Sequence, residues 1–243
     1  SNMMFNELGL PENLVAALSK QKITEPMPIQ AAALPVLLAG KNAYLHSETG
    51  SGKTLAYLLP QFCKIDPKAE ATQLVVIAPT HELAIQIQRQ CCDLAQNAGL
   101  PIRTLLLIGG TIIDRQIEKL KKKPQIVVGS PGRIRELLAM GRLKGHTVKC
   151  VVVDEADRLL GDENLESVRK IILAAPRDRQ LVFVSATVQP QAEAEIAQLA
   201  PDVVMVKTAD TPVNPDIEHL YMVCEERDKP DLLRRALHAF APE

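Results

Sequence analysis

Short apolar runs rich in β-branched residues recur along the chain, each bounded by Gly, Pro, Asp or Lys, and the stretches between them carry apolar positions at helical spacing. The runs predict strands at Ala43 to His46, Leu74 to Ala78, Thr104 to Ile108, Ile126 to Gly129, Val151 to Asp154, Leu181 to Ser185 and Val203 to Lys207. Among the intervening segments, Glu82 to Ala98 places Leu83, Ile87, Cys91 and Leu94 on one stripe, and Gln191 to Leu199 and the apolar Leu55 to Leu59 read as further helices. Strands that are apolar throughout and alternate with helices imply an α/β domain, a mainly parallel sheet with helices on both faces. That pattern covers residues 1 to 207. Residues 208 to 216, with two prolines, Asp and Asn, read as a linker. Ile217 to Cys224 then predicts a fresh strand and Asp228 to Phe240 a fresh helix, where the chain stops.

Composition narrows the function classes. With 243 residues and 47% hydrophobic content the chain has material for a substantial core, and its formal net charge of −1 gives no global positive field. Any nucleic-acid contact must then come from a local face. Aromatic residues are scarce and Trp is absent, which argues against reading bases on aromatic platforms and favours contact with a sugar-phosphate backbone. Five cysteines lack metal-ligand spacing, and their odd number makes a disulfide framework improbable, so a reducing, intracellular and cytoplasmic setting is expected. The adjacent Cys91 and Cys92 point about 100° apart on a helix and read as packing residues. No apolar run approaches the ~20 residues of a membrane span, so no membrane partner is expected. Ser1-Asn2 ahead of Met3 reads as a remnant of tag removal.

Two stretches carry the chemistry. Ser47-Glu48-Thr49-Gly50-Ser51-Gly52-Lys53-Thr54 follows a predicted strand and opens an apolar helix. A Gly-rich loop so placed wraps phosphates with backbone N–H groups, its lysine neutralises phosphate oxygens and its threonine hydroxyl ligates Mg²⁺. Serine opens this loop where the general pattern has glycine. Asp154-Glu155-Ala156-Asp157 lies at the end of another apolar strand, the edge of an open α/β sheet where ligands collect. There one carboxylate serves a hydrated Mg²⁺ while its neighbour orients and deprotonates a water.

With these two motifs the chain resembles the DEAD-box ATP-dependent RNA helicases, from Phe5 to about Val206. Glu25-Pro26-Met27-Pro28-Ile29-Gln30 is similar to the family's adenine-reading motif, with Phe5 as the isolated aromatic upstream. Pro79-Thr80-His81-Glu82-Leu83, Gly109-Gly110 and Ser130-Pro131-Gly132-Arg133 resemble its three RNA-backbone motifs, and Ser185-Ala186-Thr187 its motif coupling hydrolysis to unwinding.

The resemblance implies a RecA-like P-loop lobe that uses ATP and Mg²⁺ and contacts RNA through its sugar-phosphate backbone, with residues 217 to 243 opening a second RecA-like lobe; the alternative for that segment is a C-terminal appendage packing back on the first lobe. Lys53, Asp154 and Glu155 are then the catalytic candidates. Thr54 and Asp154 hold Mg²⁺, partly through water. Phe5, Ile23, Gln30, Glu48, Thr49, Gly50, Ser51, Gly52, Lys53 and Thr54 bind the nucleotide. Gln30 reads adenine through a paired donor and acceptor. Pro79, Thr80, His81, Gly109, Gly110, Ser130, Pro131, Gly132 and Arg133 face RNA, Arg133 carrying much of the local charge. Asp157, Ser185, Ala186 and Thr187 couple the two sites. The chain departs from the family pattern at Lys22-Ile23, where a glycine and an adenine-stacking ring are usual, at His81, which replaces an arginine, and at Ser130, which replaces a threonine. No segment resembles the motifs of the second lobe that bring arginines to the γ-phosphate, so little hydrolysis and no unwinding are expected of this chain alone. A DNA-directed helicase or translocase of the same superfamily and a non-catalytic ATP-gated RNA clamp are the alternative readings.

Overall fold

The computed structural model describes residues 3–48, 52–208 and 223–224. Eight strands form one all-parallel sheet in the order β3-β4-β2-β5-β6-β1-β7-β8. They are β1 (Ala43–His46), β2 (Leu74–Ile77), β3 (Thr104–Leu107), β4 (Ile126–Gly129), β5 (Cys150–Val153), β6 (Gln180–Ser185), β7 (Val204–Lys207) and β8 (Val223–Cys224). The seven predicted strands lie where their apolar runs placed them, with ends shifted by one residue at most. Asp154 consequently sits one position beyond β5 rather than closing it.

Two hydrophobic cores cover the two faces, because alternate residues of each strand point to opposite sides. On one face Leu45, Leu74, Val76, Val128, Val152, Val182 and Val184 pack beneath α1 (Glu12–Lys20), α2 (Pro28–Leu38), α3 (Lys53–Lys64) and α4 (His81–Ala98). On the other, Tyr44, Val75, Ile77, Val151, Val153 and Phe183 pack against α5 (Ile113–Leu120), α6 (Pro131–Ala139), α7 (Ala156–Leu159), α8 (Leu165–Ala174) and α9 (Pro190–Leu199). In α4 the stripe is Ala84, Ile87, Cys91, Leu94 and Ala95, with Leu83 only partly buried. Cys92 is exposed, so of the adjacent cysteines only Cys91 packs, the neighbour being turned about 100° away from the core.

Polar residues at the start of strands close the edge opposite the motifs. Gln180 is buried, and its amide donates to Leu37 O at 3.2 Å and Lys41 O at 2.7 Å while accepting from Gln61 at 2.9 Å. At the other end of β4, a Cβ on Gly129 would lie 1.9 Å from Leu107 O, so only glycine lets β3 and β4 run side by side into Ser130. Beyond β7, Thr208 is buried and Val223–Cys224 pairs in parallel with Met205 and Val206. The remainder of the expected linker and second-lobe segment lies outside the described residues. No helix among the described residues is long and apolar enough to cross a membrane.

Candidate nucleotide and RNA site

Six motif-bearing loops leave the same carboxyl edge of the sheet, and the strand order sorts them into two halves. The loops after β1, β5 and β6 are neighbours on one side, and those after β2, β4 and β3 on the other.

In the first half, Ser47 is buried and its N–H donates to Ser185 O at 3.1 Å, tying the ends of β1 and β6 together, while Glu48 is exposed. Thr49, Gly50 and Ser51 lie outside the described residues. Gly52 takes φ +83° as the chain turns into α3, and a Cβ there would lie 2.4 Å from Gln30 Nε2. Both the left-handed backbone and the close approach call for glycine. Gln30 is 1% exposed: its Oε1 accepts from Met27 N–H at 2.9 Å, capping α2, and its Nε2 donates to Gly52 O at 3.2 Å. The amide therefore joins the start of α2 to the phosphate loop.

A cavity of about 510 Å³ opens beside this loop, lined by Gly52, Lys53, Thr54, Asp154, Glu155, Asp157 and Ala186, and walled by Leu83, Gln86 and Gln90 of α4. Burial lowers the Lys53 pKa, opposed by Asp154, Asp157 and Glu155. Burial likewise holds the Asp154 pKa above the usual carboxylate value, against hydrogen bonds from Tyr57 and the Glu155 N–H and the charge of Lys53. Tyr57 Oη donates to Asp154 Oδ2 at 2.7 Å, and Glu155 N–H donates to Asp154 Oδ1 at 2.8 Å. Glu155 has φ 47°, an uncommon conformation for a residue with a side chain, and its Oε1 is 3.1 Å from Arg158 Nη1.

This donor set fits Mg²⁺. A threonine hydroxyl and a buried carboxylate are hard oxygen donors, and a divalent cation beside Asp154 offsets the burial that disfavours its charge. Among the described residues no group of three or more His, Cys, Asp or Glu forms a cage, so a cation here takes further ligands from water or phosphate. Asp157 Oδ2 accepts from the Thr187 hydroxyl, and Ser185 Oγ donates to Thr187 O at 2.6 Å. The acidic loop and the Ser185-Ala186-Thr187 loop are thus joined directly.

In the second half, Thr80 caps α4, its Oγ1 accepting from Leu83 N–H at 3.2 Å, and His81 is exposed at the first helical position beside the partly buried Pro79. Gly109 is partly buried, Gly110 is exposed, Pro131 is buried at the start of α6 behind the partly buried Ser130, and Gly132 is exposed. Arg133 does not present its charge outward as expected. Its side chain is 14% exposed, with Nε 3.1 Å from Glu136 Oε1 and Nη1 donating to Gln116 Oε1 at 2.8 Å and to Thr111 O at 3.2 Å. Gln116 is itself buried and donates to Ile108 O at 2.9 Å. Arg133 and Gln116 therefore clasp the Gly109-Gly110 loop to α6.

The family model described as DEAD/DEAH box helicase matches residues 27–196, which span every residue of the site just described. The chain belongs to this family. It is 44% identical to the DEAD-box ATP-dependent RNA helicase CshC of Bacillus cereus over 225 residues, 93% of this chain and 57% of the relative, and 40% identical to the probable ATP-dependent RNA helicase YfmL of Bacillus subtilis over 87% of this chain and 56% of the relative. A solved DEAD box protein from Methanococcus jannaschii superposes with a TM-score of 0.79 at 30% identity, over 85% of this chain and 56% of that one. Saccharomyces cerevisiae Dbp5 bound to RNA and ADP BeF3 superposes with a TM-score of 0.74 at 27% identity, over 83% of this chain and 51% of that one. The chain thus spans little more than half the length of these DEAD-box relatives.

Within this DEAD-box chain, the cavity joins the end of the phosphate loop, the Asp154 to Asp157 cluster and Ala186, as the motifs imply. Phe5 and Ile23 do not line it. Phe5 is 2% exposed in the hydrophobic core, and Ile23 packs partly buried against that core. Conversely, the sequence reading overlooked Tyr57, Gln86, Gln90 and Gln116. Tyr57 was legible in principle, since three residues after Thr54 on a helix it shares that residue's face, and Leu83, Gln86 and Gln90 share the same spacing. Gln116 carries no local signal.

Proposed function

We propose that this chain is the nucleotide-binding RecA-like lobe of an ATP-dependent RNA helicase, residues 1 to 207, with 208 to 216 as linker and 217 to 243 opening a second lobe, of which Val223–Cys224 lies here against β7. The observation that carries the reading is the cavity in which Lys53, Thr54, Asp154 and Glu155 meet. Lys53 binds the β/γ phosphates of ATP, aided by the N–H groups of the loop and the N-terminus of α3. Thr54 and Asp154 hold Mg²⁺, which when bound neutralises charge on the phosphate oxygens. Glu155 orients the attacking water and takes its proton. Gln30 recognises adenine with the same amide that reaches Gly52. Residues 79 to 81, 109 to 110 and 130 to 133 meet the RNA sugar-phosphate backbone, and the Thr187 to Asp157 hydrogen bond links the Ser185-Ala186-Thr187 loop to the hydrolytic cluster.

Stabilising arginines for the γ-phosphate come, on this reading, from the second lobe, as the resemblance implies. Calorimetry on this chain with ADP and GDP, each with and without Mg²⁺, tests the assignment. ADP binding that is tighter than GDP binding, strengthened by Mg²⁺ and abolished by Lys53→Ala supports it. Equal affinity for ADP and GDP, or binding indifferent to Lys53→Ala, overturns it.

A further inference from the structure

Tyr57 reaches one of the two residues assigned to Mg²⁺. It follows Thr54 by three positions in α3, so both side chains leave the same helix face, and it is 0% exposed. Its hydroxyl donates to Asp154 Oδ2 at 2.7 Å. A phenol has one proton to donate, and here it is committed to Asp154.

That commitment matters, because a carboxylate that serves a cation must keep lone pairs turned towards the metal. Asp154 is fixed at both oxygens, by Tyr57 at Oδ2 and by the Glu155 N–H at Oδ1, leaving the remaining lone pairs of a single carboxylate rotamer for the cavity. We propose that Tyr57 is a positioning residue that holds the Asp154 carboxylate in the orientation that receives Mg²⁺, an inference that rests on the reading of Thr54 and Asp154 as the cation-holding pair. With the ring fully buried, no water replaces the phenol if it is removed. Phenylalanine fills nearly the same volume, so the core of α3 stays packed while the one atom that reaches Asp154 is lost.

The test is calorimetric titration of ADP into the chain, with and without Mg²⁺, for the parent, Tyr57→Phe, Asp154→Asn and the double variant, with thermal melts as a check on folding. Tyr57→Phe is expected to leave Mg²⁺-free ADP affinity within about twofold while cutting the gain conferred by Mg²⁺ roughly tenfold, the scale seen when groups that orient metal ligands are removed. In the Asp154→Asn background the same change should add nothing, since the two act on one cation. Tyr57→Leu, which also lacks the phenol, provides the second reading if the Phe variant does not melt cooperatively. An undiminished Mg²⁺ gain in Tyr57→Phe overturns the proposal, as does an equal loss with and without Mg²⁺, which is what a merely structural hydrogen bond would give. Failure of the parent to bind ADP at all is a different outcome: it removes the nucleotide site itself, and the role of Tyr57 with it.

Discussion

Gln30 is engaged on both sides of its amide in this structure, by Met27 N–H and by Gly52 O. Substituting alanine should therefore do two separable things. Losing a buried cap and a buried hydrogen bond is expected to lower stability by about 1 to 2 kcal/mol, visible in denaturant titration. Losing the paired donor and acceptor should narrow the ratio of ADP to GDP affinity. Gln30→Glu keeps the acceptor that caps α2 but sets a carboxylate against Gly52 O, so it should weaken ADP binding more than it lowers stability, and the reverse order would remove Gln30 from the nucleotide site. At Glu155, replacement by glutamine keeps the shape and removes the base. In the full-length protein this should preserve ATP binding and reduce turnover by ~10² or more, and an unchanged turnover number would assign the base elsewhere. Lys53, Asp154 and Glu155 stood out in the sequence because the first closes a Gly-rich loop that opens α3 and the other two directly follow the apolar run of β5. Phe5 and Ile23 do not line the nucleotide cavity, and an isolated apolar residue carries no mark distinguishing a core position from a ligand face. Gln116 was invisible because its partners, Ile108 O and Arg133, are brought to it only by the packing of α5 against α6 and β3.

Elements read more easily than contacts. Continuous apolar runs of four to six residues gave all seven strands of β1 to β7, because in a doubly covered parallel sheet nearly every strand residue is buried, and polar residues mark the ends. The start of α4 shows what such a pattern leaves out: Thr80 is both a cap and a candidate RNA contact. Thr80→Ala is expected to cost about 1 kcal/mol in chemical denaturation, and Thr80→Ser, which retains the cap, should recover most of that. If RNA affinity falls in the alanine variant and returns in the serine variant, the hydroxyl matters to both. The clasp between α6 and the Gly109-Gly110 loop gives a second expectation. Arg133→Ala should weaken RNA binding with ADP affinity unchanged, and Arg133→Lys should rescue little, because one ammonium cannot replace a fork that meets Glu136, Gln116 and Thr111 O together. Full rescue by lysine would show that charge, not loop placement, is the contribution.

For the whole molecule, the order β3-β4-β2-β5-β6-β1-β7-β8 is the organising fact. It gathers the candidate RNA loops over one half of the sheet edge and the nucleotide loops over the other, an arrangement the sequence could not show, because strand order is fixed by long-range pairing and not by any local pattern. Residues 1 to 243 are expected to show little RNA-stimulated ATPase, at least ~10³-fold below the full-length protein if arginines from a second lobe stabilise the transition state. Robust RNA-stimulated turnover by this chain alone would show the site to be complete without them.

One element belongs to both halves. α4 begins at His81 among the candidate RNA contacts, and its next turns place Leu83, Gln86 and Gln90 in the wall of the nucleotide cavity. A rigid helix about 27 Å long with a ligand at its tip and another along its flank is a lever with two loads. If either ligand favours one seating of that helix, thermodynamic linkage requires the preference to be felt equally by the other: the factor by which RNA tightens nucleotide binding must equal the factor by which nucleotide tightens RNA binding. Two titrations run in opposite order measure that number twice, and shortening the Gln86 and Gln90 side chains should move both values towards one together.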